Sequence, residues 1–399
     1  MLSQSQLDRY ADILLWGLEI SRNGKTQKKD IVLVRYHLPA IQLAEVLQAK
    51  LLQQHKHPVL RMVPTPTMEK QHYRLADDAQ LAFIAPGEEV LAKNLSGNIF
   101  LYAPESLTHL RRIDPEKIGK TALRQKKIKD ILNRRDEKGL FSWTLCMVPT
   151  PALAEQANLS MTEYNKQIVT ACFLNRKDPV AHWKEIYRQI ASIKKWLNSL
   201  PMEEIHVASD HTDLIITPGK DRKWLGLSGH NIPSFEIFLS PDWRGTKGVY
   251  YADQPSFRSG NYVQGIRIEF QKGKAVQIRA EKGEAFARKQ CTMDAGASRI
   301  GEFSLTDKRF SKINRFMANT LFDENYGGRY GNCHIALGSS YSNSYRGNPA
   351  SLKNSVKKQM GFNDSALHWD IVNTEKKRVT AKLSSGKKVV IYENGQFAR

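Results

Sequence analysis

Two short stretches near the C-terminal end hold residue types able to do chemistry together. One reads Gly331-Asn332-Cys333-His334-Ile335-Ala336-Leu337-Gly338, the other Asn363-Asp364-Ser365-Ala366-Leu367-His368-Trp369-Asp370. His368 and Asp370 stand two apart in a strand-like run, Leu367 to Val372, and side chains at i and i+2 of a strand share a face. An imidazole and a carboxylate therefore project together from rigid backbone. His334 lies in an equally strand-like run. The two runs, joined by a loop rich in Gly, Ser, Tyr and Asn, read as two walls of a metal site.

Four more residues join them. Glu236 (in Phe235-Glu236-Ile237-Phe238) and Glu302 (in Ile300-Gly301-Glu302-Phe303) sit between apolar neighbours, where a carboxylate is costly to bury unless paired or metal-bound. Glu324 precedes a Gly-rich turn, and Tyr341 follows His334 by seven residues. Oxygen and imidazole ligands without thiolates suit Zn, Co or Mn. Four carboxylates and two imidazoles exceed the three protein ligands of a single catalytic metal and suit two metals. Such a pair would acidify a water and polarise a scissile carbonyl, and a Tyr hydroxyl would steady the oxyanion. Each residue also has a plainer reading. A strand histidine can be a satisfied core side chain, a buried Glu can pair with Arg or Lys, and Tyr341 can simply pack. No compact motif such as HExxH is present.

Those residues need elements to position them. A chain of 399 residues exceeds one ordinary core, so two domains are expected, 1–200 and 201–399. The first half alternates helix and strand signals. Ser5 to Ser21, Ala40 to Gln54 and Pro179 to Leu200 read as helices. Asp30 to Tyr36, Pro58 to Val63, Ala82 to Ile84, Asn98 to Ala103 and Ser142 to Val148 read as strands. This alternation predicts an α/β domain with an open sheet. The phrase Met-Val-Pro-Thr-Pro occurs at 62–66 and again at 147–151, each copy between a strand and a polar segment, which suggests similar strand ends in one sheet. The second half predicts a β-rich α+β domain. It has strands at Glu204 to Ala208 and Asp213 to Thr217, and hairpins around Gln271-Lys272-Gly273 and Ser384-Ser385-Gly386. Its helices are expected at Lys282 to Asp294, Lys308 to Asn319 and Ser351 to Gln359.

The four cysteines, at 146, 172, 291 and 333, form no CxxC pair, so buried reduced thiols are expected rather than a thiolate metal site. No signal-peptide layout or membrane-length apolar run is present, and a cytoplasmic location without membrane attachment is the expectation. The net charge of +20 raises nucleic acid as a partner. The densest basic run, Lys120 to Lys138, has helical spacing and no interleaved aromatics, so it reads as a solvated helix face or a non-specific anion surface.

The phrases NIPSFEIF (231–238), RIGEFSL (299–305), LFDEN (321–325), GNCHIALGSSY (331–341) and NDSALHWDIV (363–372) occur in an order that resembles the aminopeptidase T family, the thermophilic-type leucyl metalloaminopeptidases. The resemblance is strongest over residues 200 to 399. It implies a co-catalytic metalloaminopeptidase acting on peptides. Two divalent ions (Zn, Co, Mn or Mg) would be held by Glu236, Glu302, Glu324, His334, His368 and Asp370. Glu302 would bridge, Tyr341 would be the catalytic tyrosine, and the assembly would be a homodimer. The chain departs from the family pattern in an insert, Tyr326 to Gly331, between Glu324 and His334, and in basic residues ahead of NIPSFEIF (Lys220, Arg222, Lys223). Two other readings stay open on residues alone: an anion- or nucleic-acid-binding protein on a peptidase-like fold, and a di-metal hydrolase of other amides or phosphoesters.

Overall fold

The computed structural model describes residues 2–22 and 26–399. It divides into two compact units. One comprises residues 1–186, 227–234 and 317–321; the other comprises 187–226, 235–316 and 322–399.

The first unit is an α/β layer structure. Its sheet is wholly parallel, in the order His57–Met62, Ile31–Tyr36, Gly97–Tyr102, Ser142–Met147, Asn231–Ile232. A parallel sheet needs helices to carry the chain back and to cover its faces. The Gln4–Ser21 helix starts at a capping box, with Ser3 and Gln6 exchanging hydrogen bonds that satisfy two otherwise orphan amides. Tyr10, Ile13, Leu14 and Leu18 on this helix are buried. The Tyr10 hydroxyl donates to Met147 O at 3.0 Å, and Ser142 donates to Leu18 O at 2.9 Å. The repeated Pro-Thr-Pro phrase has a plain explanation. Thr65 and Thr150 each N-cap a helix with proline in its first turn, Pro66–Leu75 and Pro151–Gln156, an arrangement in which the missing proline N–H costs nothing.

Residues 82–84 differ from expectation. Asp77 and Gln80 form a second capping box that commits Asp78–Ala82 to a helix. The basic run lies on the helix Pro115–Glu137. Its charges are largely engaged within the unit: Lys120 pairs with Asp78 at 2.8 Å, Lys126 with Asp130 at 2.8 Å, and Lys127 with Glu89. Arg135 caps Leu95 O at 2.8 Å.

The second unit is β-rich. An eight-stranded sheet runs Lys274–Arg279, Ile266–Gln271, Asp242–Ala252, Asp213–Thr217, Met202–Ala208, Arg378–Leu383, Lys388–Glu393, Gln396–Phe397, with antiparallel neighbours. Both expected hairpins are present. A five-stranded antiparallel sheet runs His368–Asn373, Asn332–Gly338, Ile300–Thr306, Glu236–Leu239, Leu225–Gly226. The Tyr250 hydroxyl, from the larger sheet, lies 2.8 Å from Ile371 O and 3.2 Å from Cys333 O in the smaller one. The expected helix at 308–319 does not form. Ile313 O instead accepts the amides of Gly327 and Gly328, and Ser311 Oγ reaches Asn325 O, so the backbone there serves the 325–328 loop. All four cysteines are free and buried.

Candidate metal centre

The five-stranded sheet sorts its side chains by parity. Cross-strand partners are Glu302–Ala336–Asp370 in one row and Phe238–Ser304–His334–Val372 in the next. Directly opposed residues share a face, as do i and i+2 neighbours. Glu236, Glu302, His334, His368 and Asp370 therefore stand on one face. The other face carries Ile237, Phe303, Leu305, Ile335 and Ile371, all buried. Burying each such side chain is worth roughly 1.5–3 kcal/mol, which anchors the face carrying the candidate ligands to a rigid core. Alternation of apolar and candidate ligating residues, not of apolar and solvated ones, explains why Ile300–Thr306 and Asn332–Gly338 are buried throughout.

A bulge between Ile300 and Glu302 shifts the register, a device that re-aims side chains. Gly301 sits inside it, and a Cβ there would lie 2.3 Å from Ser339 O. Glu324 reaches the site from a loop following the Thr320–Asp323 turn of helix, and Thr306 Oγ1 donates to its carbonyl at 3.0 Å.

The side chains converge tightly. His334 Nε2 lies 3.3 Å from Glu236 Oε2, 3.4 Å from Glu302 Oε1 and 3.9 Å from Asp370 Oδ1. His368 Nε2 lies 3.4 Å from Asp370 Oδ1 and 3.9 Å from Glu302 Oε2. Two sets, Glu236–Glu302–His334 and Glu324–His334–Asp370, each offer ligand atoms lying within 4.8 Å of one another. Tyr341 packs its ring edge-on to His368, with centroids 5.0 Å apart, and its amide is held by Ser240 Oγ at 2.8 Å.

Electrostatics reflect the crowding. Burial, together with the charges of Glu302 and Asp370, raises Glu236 to about 7, against the opposing pull of His334 and Ser304. Burial alone would lower His334, but the Glu302 hydrogen bond and the surrounding carboxylates outweigh it and raise it to about 9. Asp370 goes the other way. Burial would raise it, yet His368, His334 and Arg258 bring it to about 2. Tyr341 is pushed well above its ordinary value by burial and by four carboxylates.

This donor set fits divalent cations. Four carboxylates, three of them buried and the fourth, Asp370, half-buried, carry more negative charge than two imidazoles balance, a condition that bound metal relieves. The His368 Nδ1–H donates to Ser339 O at 2.9 Å, which leaves Nε2 as a lone-pair donor aimed at the carboxylates. His334 presents Nε2 to the cluster, and its Nδ1 is buried without a hydrogen-bond partner.

Three supporting residues were not singled out from the sequence. Ser304 donates to Glu236 Oε2 at 3.0 Å; its place two residues after Glu302 is the pattern that marks it. Ser240 holds Tyr341, and Arg258 lies beside Asp370 with its Nη1 donating to His368 O. Both come from segments remote in sequence and without a motif.

The family model described as "Thermophilic metalloprotease (M29)" matches residues 3–397. The chain belongs to this metalloprotease family. Among its relatives, Aminopeptidase T of Thermus thermophilus is 26% identical over 306 residues, 72% of this chain and 73% of that protein. Aminopeptidase AmpS of Bacillus subtilis is 27% identical over 333 residues, 79% of each. The solved structure of wild-type AmpT from Thermus thermophilus superposes with a TM-score of 0.78 at 21% identity, covering 98% of this chain and 99% of that one. That likeness establishes the shared fold.

Proposed function

We propose that this M29 metalloprotease is an aminopeptidase that removes N-terminal residues from peptides with two divalent ions. Glu236, Glu302, Glu324, His334, His368 and Asp370 would hold the ions. The carrying observation is Glu302. Its Oε1 faces His334 and its Oε2 faces His368, the disposition of a carboxylate shared between two cations. The names of the relatives, Aminopeptidase T and Aminopeptidase AmpS, support the exopeptidase reading.

When bound, the pair would supply Lewis acidity at the scissile carbonyl and lower the pKa of water. The chain's own groups do the rest. The Tyr341 phenol carries its proton at neutral pH, as an ordinary tyrosine does, so its hydroxyl is a donor for the carbonyl oxygen as negative charge develops there. Glu302 or Glu324 carries the proton to the leaving amine. Ser304 and Ser339 hold Glu236 and His368 in their rotamers. A homodimer, which rests on the resemblance, and a cytoplasmic setting, which rests on the N-terminal sequence pattern, are part of the same reading. No described helix is long and apolar enough to cross a membrane.

The test is hydrolysis of aminoacyl amides by chelator-stripped protein, with Zn, Co, Mn or Mg restored singly. Metal-dependent release of the N-terminal residue is expected. Normal turnover by a fully stripped sample would overturn the reading.

A further inference from the structure

Lys220, Arg222 and Lys223, the basic residues ahead of NIPSFEIF, lie together at a cavity of about 320 Å³ in the second unit. Arg346 completes its charged rim, and Trp224, Leu197 and Leu239, all buried, form apolar wall. None of the six proposed metal ligands lines it.

The charges there are poorly compensated. Arg222 is buried and stacks on the Phe362 ring at 3.4 Å. Its guanidinium donates to three neutral carbonyls: Ser240 O at 2.8 Å, Lys220 O at 3.1 Å and Met360 O at 2.9 Å. Five N–H groups are available on a guanidinium, so two remain. The nearby Asp242 is already clasped by Arg244 at 2.6 and 2.8 Å. Arg346 likewise donates only to carbonyls, Arg222 O and Asn198 O, both at 2.9 Å. Glu203 and Asp221 also line the cavity, yet among the described residues no ion pair joins either to these four cations. Four positive groups against two carboxylates, beside low-dielectric apolar wall, focus a field that attracts anions. Unused guanidinium and ammonium donors are the groups that recognise oxyanions.

We propose that this cavity binds a small oxyanion, the phosphate or carboxylate group of a compact metabolite-sized ligand. Its volume lies at the lower end of the range for small-molecule sites. The site is physically connected to the candidate catalytic residue. Arg222 holds Ser240 through its carbonyl, and Ser240 Oγ holds the Tyr341 amide. Ser344 adds a second tie, accepting from Ser240 N at 3.1 Å and donating to Lys223 O at 2.9 Å.

The experiment is titration of the metal-loaded protein with inorganic phosphate at constant ionic strength set with chloride, read by calorimetry and by the thermal midpoint. Saturable binding is expected, at least tenfold weaker in the Lys220→Ala/Lys223→Ala double variant. Should that variant fail to fold, Lys220→Gln, at an exposed side chain, carries the same comparison. A second arm adds acetate, a carboxylate that chelates divalent metals only weakly. Displacement of phosphate assigns the site to oxyanions generally, and lack of displacement assigns it to phosphate groups. Either result supports the site. A response no greater than that to chloride, or equal affinity in the lysine variant, overturns it. The latter would place phosphate at the metal centre instead.

Discussion

The Arg258 guanidinium donates from Nη1 to the backbone carbonyl of His368 across 2.8 Å. Arg258 lies in the Ser256–Arg258 strand of a two-stranded hairpin outside the ligand-bearing sheet, and its charge helps keep Asp370 ionised. Burial lowers its own pKa to about 10, so it stays a cation. It therefore acts on the His368–Asp370 edge of the candidate site by backbone and charge at once. Arg258→Met is expected to lower metal affinity and turnover together, roughly 10–100-fold, the usual effect of losing a group that supports a ligand. Arg258→Lys should restore the charge without the fixed hydrogen bond and recover only part of the loss. Metal titration alongside initial rates checks this; unaltered metal affinity in Arg258→Met would remove Arg258 from the account.

Glu302 faces both imidazoles, whereas His368 and Glu324 each belong to one side. Glu302→Ala is expected to reduce bound metal from two ions to none. His368→Ala and Glu324→Ala should each retain one. Native mass spectrometry of the three variants gives the count directly. Full occupancy in Glu302→Ala would show that another group bridges.

Tyr341→Phe keeps the ring against His368 and removes only the hydroxyl. The expected loss is in kcat, about 10²–10³-fold, with KM and metal stoichiometry nearly unchanged. A matching rise in KM with kcat intact would make Tyr341 a binding residue.

His230 offers a pH test away from the metal centre. It packs on Trp143 with centroids 4.4 Å apart, and its ring nitrogen Nδ1 meets Ser228 Oγ at 2.7 Å. Burial pushes its pKa down to about 4. The unfolded chain binds this proton below about pH 6.5, the folded chain only below about 4. Stability is therefore complete above pH 6.5 and falls as pH drops toward 4, by roughly 3 kcal/mol from this residue. His230→Gln should flatten that part of the profile. Urea unfolding at pH 7 and pH 5 measures it, and an identical slope in the variant would assign the effect elsewhere.

Much of the second unit was readable from local pattern. The period-2 spacing of His368 with Asp370, and the strand character around His334, Glu236 and Glu302, already placed the candidate ligands on rigid extended backbone, because side-chain parity is a property of the strand itself. Capping chemistry also lives within a few residues. Ser3 with Gln6 fixes the start of the first helix, and Asp77 with Gln80 overrode the apolar run at 82–84. Glu324 had only its place ahead of a Gly-rich turn as a local signal.

What the linear chain left open was set by pairing between distant segments. The register that aligns Glu302, Ala336 and Asp370 in one row depends on hydrogen bonds between strands more than 30 residues apart. The bulge at Gly301 depends on the approach of Ser339 O. Residues 308–319 have helical apolar spacing, but their backbone groups find partners in the loop at 325–328 instead. Arg258, Ser240 and the cavity around Arg222 likewise exist only once remote segments meet. Sequence alone determined which side chains share a face and which residues cap an element, since both follow from neighbouring backbone geometry. Tertiary structure decided which faces converge, because non-local hydrogen bonds and burial outweigh local propensity.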